Sequence, residues 1–183
     1  MDIYSKGFTI IELMIAITIL AVTMMFAAPS FTTMISNNRI SAAANDFIGA
    51  LQLAKAEASA RIAPATLCKK NEDDSGCSAG GSWKDGWIVF SDLNGNGAVD
   101  AGDGDTIVLN HAALDTRITF KSTGGIDDSI TFNPSGVTSI TGIEVLMMCD
   151  DRGYDKSAKG ILITITGRGS VMKGSDTGQL TCL

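Results

Sequence analysis

Lys6-Gly7-Phe8-Thr9-Ile10-Ile11-Glu12-Leu13-Met14 opens a stretch in which no charged residue follows Glu12 until Arg39. Residues 13–28 are almost wholly apolar, and with residues 8–12 added the run is long enough to cross a bilayer as a helix. A secretory signal peptide carries its small-residue cleavage site after the apolar run. Here the short polar MDIYSKG precedes that run and helical patterning continues beyond it, so the apolar segment is expected to be retained. Its one carboxylate, Glu12, is costly at membrane depth unless it meets a partner. A cut between Gly7 and Phe8 would create an α-ammonium group at Phe8, able to pair with Glu12 of a neighbouring subunit. The alternative is a single-span anchor whose Glu12 snorkels to the interface.

Outward from this segment the pattern turns amphipathic. Ile40, Ala43, Ala44, Phe47, Ile48, Leu51, Ala54 and Ala58 recur at i, i+3, i+4 and i+7, while Asn45, Asp46, Gln52, Lys55 and Glu57 fall largely outside the stripe. The spacing predicts one helix over residues 8–61, roughly 80 Å long. Pro29 removes an intrahelical donor, so a kink or local melt is expected there, and Pro64 is expected to close the helix. Beyond it, residues 65–69, 86–91, 106–109, 117–120, 129–132, 143–149, 160–166 and 170–172 read as strands between Gly, Asn and Asp clusters. The period of two in Ile161, Ile163 and Ile165 places that side of the strand in a core. The fold class is therefore α+β, a helix followed by sheet.

Composition narrows the function. The chain has 183 residues, enough for one domain plus an appendage, and 14 Lys and Arg against 20 Asp and Glu give a net charge of −6. Most of the surface repels polyanions, so nucleic acid would need a local basic patch. The four cysteines, Cys68, Cys77, Cys149 and Cys182, contain no Cys-x-x-Cys pair, and the single histidine, His111, stands far from them, which disfavours structural zinc. In an oxidising compartment they would form two disulfides. Three connectivities are open to them, of which Cys68–Cys77 and Cys149–Cys182 is preferred because it restrains a loop and the C-terminal tail. His111 has no evident nucleophile partner, and no nucleophile elbow or P-loop is present, so the chain does not read as an enzyme.

The Lys6–Met14 stretch resembles the prepilin processing motif of type IV pilins and type II secretion pseudopilins. The resemblance implies cleavage between Gly7 and Phe8 by an inner-membrane prepilin peptidase, N-methylation of Phe8, and a docking role for Glu12 during filament growth. Cleavage would remove one acid, Asp2, and one base, Lys6, leaving the charge at −6. A second resemblance, to the GspH/FimT family of minor pilins and pseudopilins, is carried by Gly86-Trp87-Ile88-Val89-Phe90 and the following Asp92-Leu93-Asn94-Gly95-Asn96-Gly97. Cys149-Asp150-Asp151-Arg152-Gly153 and Thr166-Gly167-Arg168-Gly169 add to it. It implies a long N-terminal helix packed on antiparallel β-sheets and residence at or near a filament tip.

The implied organisation is a leader over 1–7, a transmembrane and filament-core helix over 8–29, its amphipathic continuation over 30–64 and a β-rich periplasmic domain over 65–183. Implied partners are other major and minor pilins or pseudopilins, the peptidase, an inner-membrane assembly platform and membrane lipid. The resemblance covers both machines, the type IV pilus and the type II secretion system.

Two further sites are expected or weighed. Asp92, Asn94, Asn96, Asp100 and Asp103, with Gly97 at the sixth position, have the spacing of a calcium loop, although Asp103 stands where a bidentate Glu is usual; the alternative is a plain Gly/Asn/Asp turn. Calcium is the only cofactor this sequence raises. Arg152, Lys156, Lys159, Arg168 and Lys173 make the C-terminal third the most basic part. Some FimT-like members bind DNA through Gly-Arg-x-Arg; Gly167-Arg168-Gly169-Ser170 lacks the second arginine, so DNA binding through Arg168 and Lys173 is the alternative function. Otherwise Arg168 is expected to pair with a nearby aspartate.

Overall fold

The computed structural model describes residues 7–153, 157–178 and 182, with residues 26–29 in backbone only. Residues 1–6 of the leader, Lys6 among them, and Lys156 lie outside the described residues. Helix α1 spans Ile10–Arg61, and the chain divides into two compact units, Met1–Asn38 and Arg39–Leu183.

In the first unit every described large apolar side chain is exposed. The helix starts at Ile10, two residues later than the apolar pattern predicts, because Thr9 caps it. Of the kink or local melt expected at Pro29, the melt is absent: helical backbone continues on both sides of it.

The second unit begins with the remainder of α1, whose stripe is buried as its spacing requires. Ile40, Ala43, Ala44, Phe47, Ala50, Leu51, Ala54 and Ala58 are each at most 2% exposed. The helix stops before Pro64 through its own backbone: Ile62 takes a positive φ of 54°, and the Ala63 amide donates to Ala58 O at 3.3 Å. That is a Schellman-type end with a β-branched residue where glycine is usual.

Eight strands follow: β1 Ala65–Lys69, β2 Trp87–Ser91, β3 Thr106–His111, β4 Thr119–Ser122, β5 Ser129–Phe132, β6 Glu144–Cys149, β7 Lys159–Ile163 and β8 Gly169–Lys173. They form two four-stranded sheets, ordered β3-β2-β1-β5 and β4-β6-β7-β8, with every pairing antiparallel. In the first, Leu67 faces Val89 and Ile130 across its neighbours; in the second, Ile161 faces Leu146 and Val171. Leu67, Val89, Ile130, Leu146 and Ile161 join the α1 stripe in one core. Phe47 lies at its centre, edge-on to Trp83 and Trp87 with ring centroids 5.2 and 5.3 Å apart. Burying such a ring contributes about 1.5–3 kcal/mol.

Two strand expectations need correction. Ile165 does not continue the buried side of β7: the strand ends at Ile163, and Ile165 is 45% exposed. A tight turn intervenes, closed by Gly167 N donating to Thr164 O at 2.7 Å. Likewise β4 begins at Thr119, not at 117, because Arg117 is held in a turn by two 3.0 Å side-chain bonds to Asp115.

Candidate functional site

The N-terminal candidate site is a capped helix start. Thr9 Oγ1 accepts from the Glu12 amide at 3.3 Å, and Glu12 Oε2 accepts from the Thr9 amide at 3.1 Å and the Thr9 hydroxyl at 3.0 Å. The Leu13 amide makes the first helical bond, to Thr9 O, at 3.1 Å. This is a capping box, in which residues N-cap and N3 satisfy each other's amides. Gly7 and Phe8 therefore lie outside the helix, and both are exposed. Thr9 is a residue that the sequence reading missed, although Thr-x-x-Glu ahead of an apolar run is its signature. The carboxylate that needed a partner at membrane depth finds a first one within its own turn.

The loop after β2 is built around two buried carboxylates. Asp92 is fully buried: Oδ1 accepts from Asn96 N at 3.0 Å, and Oδ2 accepts from Gly97 N at 2.9 Å and the Thr66 hydroxyl at 2.8 Å. Asp105, which the spacing did not flag, accepts from Leu93 N at 2.9 Å and Asp100 N at 3.0 Å. The remaining candidate ligands engage each other: Asn94 donates to Asp103 at 2.7 Å and Asn96 donates to Asp100 at 2.6 Å. Gly95 and Gly97 take φ of 72° and 76°, as the turn demands. Among the described residues no three of His, Cys, Asp and Glu form a group that could hold a metal ion. The arrangement is that of a loop closed by its own hydrogen bonds.

The cysteines pair as Cys68–Cys77, with Cα atoms 5.6 Å apart, and Cys149–Cys182, at 5.8 Å. Next to Cys149, the Asp150 carboxylate accepts from Arg152 Nε at 2.7 Å and from the Ser157 hydroxyl at 2.5 Å. Burial alone would raise its pKa, but the bonds from Arg152 and Ser157 outweigh it and hold this carboxyl below the usual range.

The two DNA-binding candidates, Arg168 and Lys173, stand at opposite ends of β8. Arg168 precedes β8 and Lys173 ends it, where Lys173 lies opposite Lys159. Arg168 is exposed and makes no ion pair with another described residue; of the aspartates it was expected to pair with, Asp155 lies outside the described residues. Its neighbour Gly167, at φ 70°, packs so tightly that a Cβ there would lie 2.2 Å from Phe132 Cε1. Gly167 is thus required by the fold. His111 is stacked on Trp87 with ring centroids 4.0 Å apart, and its Nε2 lies 3.6 Å from Asp46. Both contacts are structural.

An exposed apolar helix with one capped carboxylate, continued by a helix packed on two antiparallel sheets, defines the pilin class of filament subunit. Residues 43–169 match the family model of the type II transport protein GspH, and residues 4–28 match the prokaryotic N-terminal methylation motif. The chain belongs to the GspH family. Crystal structures of the Pseudomonas aeruginosa PAO1 type IV minor pilin FimU in space groups P21 and P65 share its fold, with TM-scores of 0.57 and 0.54 at 18% identity. These alignments cover 75% and 74% of this chain and 91% and 94% of theirs. Among curated proteins none matches. The family and fold are those of structural proteins, not of enzymes, and the chain is a pilus-related structural subunit of the minor pilin and pseudopilin type.

Proposed function

We propose that this chain is a filament-assembly subunit, made as an inner-membrane precursor with a periplasmic domain. It is cut between Gly7 and Phe8 and added at or near the tip of a type IV pilus or type II secretion filament. The observation that carries the reading is the contrast between its two units. From Phe8 to Ile35 the described large apolar side chains of the first unit are 48% to 84% exposed, whereas the second unit closes its core from Ile40 onward. Such a surface demands lipid first and the helices of other subunits afterwards. Glu12, its one charged residue, then pairs with the Phe8 α-ammonium of a neighbour.

Mass spectrometry of the membrane fraction tests the processing step. The expected product begins at N-methylated Phe8, and Gly7→Leu leaves an uncut precursor. A mature terminus elsewhere would refute the reading. Filament type follows from whether the chain co-purifies with sheared pili or with secretion components.

One observation favours a second reading, a DNA-binding subunit for uptake: the Arg168 side chain is exposed and makes no ion pair with another described residue. Gel shifts with duplex DNA over a range of salt test it, since phosphate binding weakens steeply with salt and would be lost in Arg168→Ala. Against it stand the net charge of −6 and the separation of Arg168 from Lys173 along β8.

A further inference from the structure

Asparagine followed by glycine is the pair most prone to cyclise, because glycine has no Cβ to keep the neighbouring carboxamide away from its amide nitrogen. This chain has two such pairs, Asn94-Gly95 and Asn96-Gly97, and no other asparagine precedes glycine. Both lie in the loop after β2, and both asparagines are exposed.

The loop holds the two pairs differently. Gly97 N donates to the Asp92 carboxylate at 2.9 Å, and that buried carboxylate is itself held by the Thr66 hydroxyl. Gly95 N donates instead to the main-chain carbonyl of Asp92, at 3.1 Å. The Asn96 side-chain oxygen accepts from the Ala98 amide at 2.8 Å. The Asn94 oxygen accepts from the Asn96 amide at 3.1 Å and shares that donor with Asp92 Oδ1.

We infer that Asn94 is a site of spontaneous deamidation in the folded protein, and that the Asp92 carboxylate protects Asn96 from the same reaction. The inference goes beyond the filament reading and does not depend on it.

The Gly95 amide nitrogen gives its proton to solvent and attacks Asn94 Cγ, so that a C–N bond forms. The bond from Cγ to Nδ2 then breaks and ammonia leaves, closing a cyclic imide. Water adds to either imide carbonyl and opens the ring, giving aspartate or its β-linked isomer. Water is consumed, ammonia is released and nothing is oxidised or reduced. The first step needs an amide anion. A carboxylate bonded to the Gly97 N–H opposes that charge and makes the stronger bond, whereas the acceptor on the Gly95 N–H is neutral. Attack also requires the carboxamide to swing over the next amide, and Asn94 has the longer, shared bond to break.

The product does not fit where the asparagine did. Asn94 Nδ2 donates to Asp103 Oδ2 at 2.7 Å. With oxygen in place of that nitrogen, carboxylates face each other across the same gap and repel. The reaction therefore adds a negative charge and frees the short helical turn Ala101–Asp103 from the loop, irreversibly and in step with the age of the molecule.

The full chain, purified in detergent and incubated in mildly alkaline buffer, provides the test. Fragment-ion mass spectrometry of the peptide that contains both pairs separates the exchange of NH2 for OH at positions 94 and 96. In the folded protein position 94 should react about ten-fold faster, the ratio expected when a neutral acceptor stands in place of a charged one. In denaturant the two rates should converge. Asp92→Ala should raise Asn96 to the rate of Asn94. Because that variant also weakens the fold, hydrogen exchange of the unaltered protein gives a separate reading, in which the Gly97 N–H should exchange more slowly than the Gly95 N–H. Asn94→Asp should lower the melting temperature at neutral pH more than Asn94→Ser, which loses the Asp103 bond without adding charge, and the gap should close in acid.

Equal rates at the two positions in the folded protein, or reaction at position 94 only after unfolding, would overturn the inference. Faster exchange at Gly97 than at Gly95 would overturn the protection by Asp92. An Asn94→Asp variant as stable as Asn94→Ser at neutral pH would overturn the repulsion at Asp103.

Discussion

Asp92 and Thr66, 26 residues apart in sequence, share a buried hydrogen bond of 2.8 Å. The Thr66 hydroxyl in turn lies 2.7 Å from that of Thr131. The loop after β2 is thereby anchored to β1, the inner strand that also pairs with β5.

Asp92→Ala should lower stability by about 2–3 kcal/mol, because the amides of Asn96 and Gly97 would lose a charged acceptor. The loss should be the same in EDTA and in millimolar calcium, since the loop closes through its own bonds. A calcium-dependent rise in melting temperature that disappears in the variant would instead establish an ion at this loop.

Gly167→Ala should cost about 2–4 kcal/mol, the sum of a left-handed backbone penalty and overpacking against Phe132. Arg168→Ala, one residue on, should change stability by less than about 0.5 kcal/mol. Denaturant melts of the two variants make the comparison. Equal effects would mean that the Gly-Arg pair is not divided into a structural and a surface half.

Ile62→Gly should stabilise the protein by about 1 kcal/mol, because a β-branched residue at φ 54° pays a steric cost that glycine does not. Its side chain is 81% exposed and so little packing is lost. A destabilised variant would show that this side chain makes contacts that offset the strain.

Asp150 gives stability a dependence on acid. Its folded pKa lies below its unfolded value, so its contribution is complete above the ordinary carboxylate range and is lost as pH falls through the lower folded value. In Asp150→Asn the slope of melting temperature against pH should be shallower on that acid limb and unchanged near neutrality. An unaltered acid limb would mean that other carboxylates control it.

The parts of this fold that are legible in sequence are those set by local periodicity. Residues 40–58 announce a half-buried helix, and 65–69, 129–132 and 144–149 lie within the strands expected of them. The misreadings arise where a turn overrides the period. Ile165 keeps step with Ile161 and Ile163 in sequence, yet Gly167 bends the chain before it can pair. Asp105 escaped notice because its partners are backbone amides, which leave no trace in side-chain spacing. The Thr9–Glu12 box is legible too, in the Thr-x-x-Glu spacing ahead of the apolar run.

The Cys149–Cys182 bond has a mechanical consequence. In the sheet ordered β4-β6-β7-β8, the last strand is an edge and would peel from β7 one hydrogen bond at a time if the C-terminal end were pulled. Cys182 instead hands the load directly to the end of β6, an inner strand, so tension bypasses the β7–β8 and β6–β7 ladders. Force on the tail must shear the interior of the sheet or break a covalent bond, which makes Cys182 a fixed point on the domain.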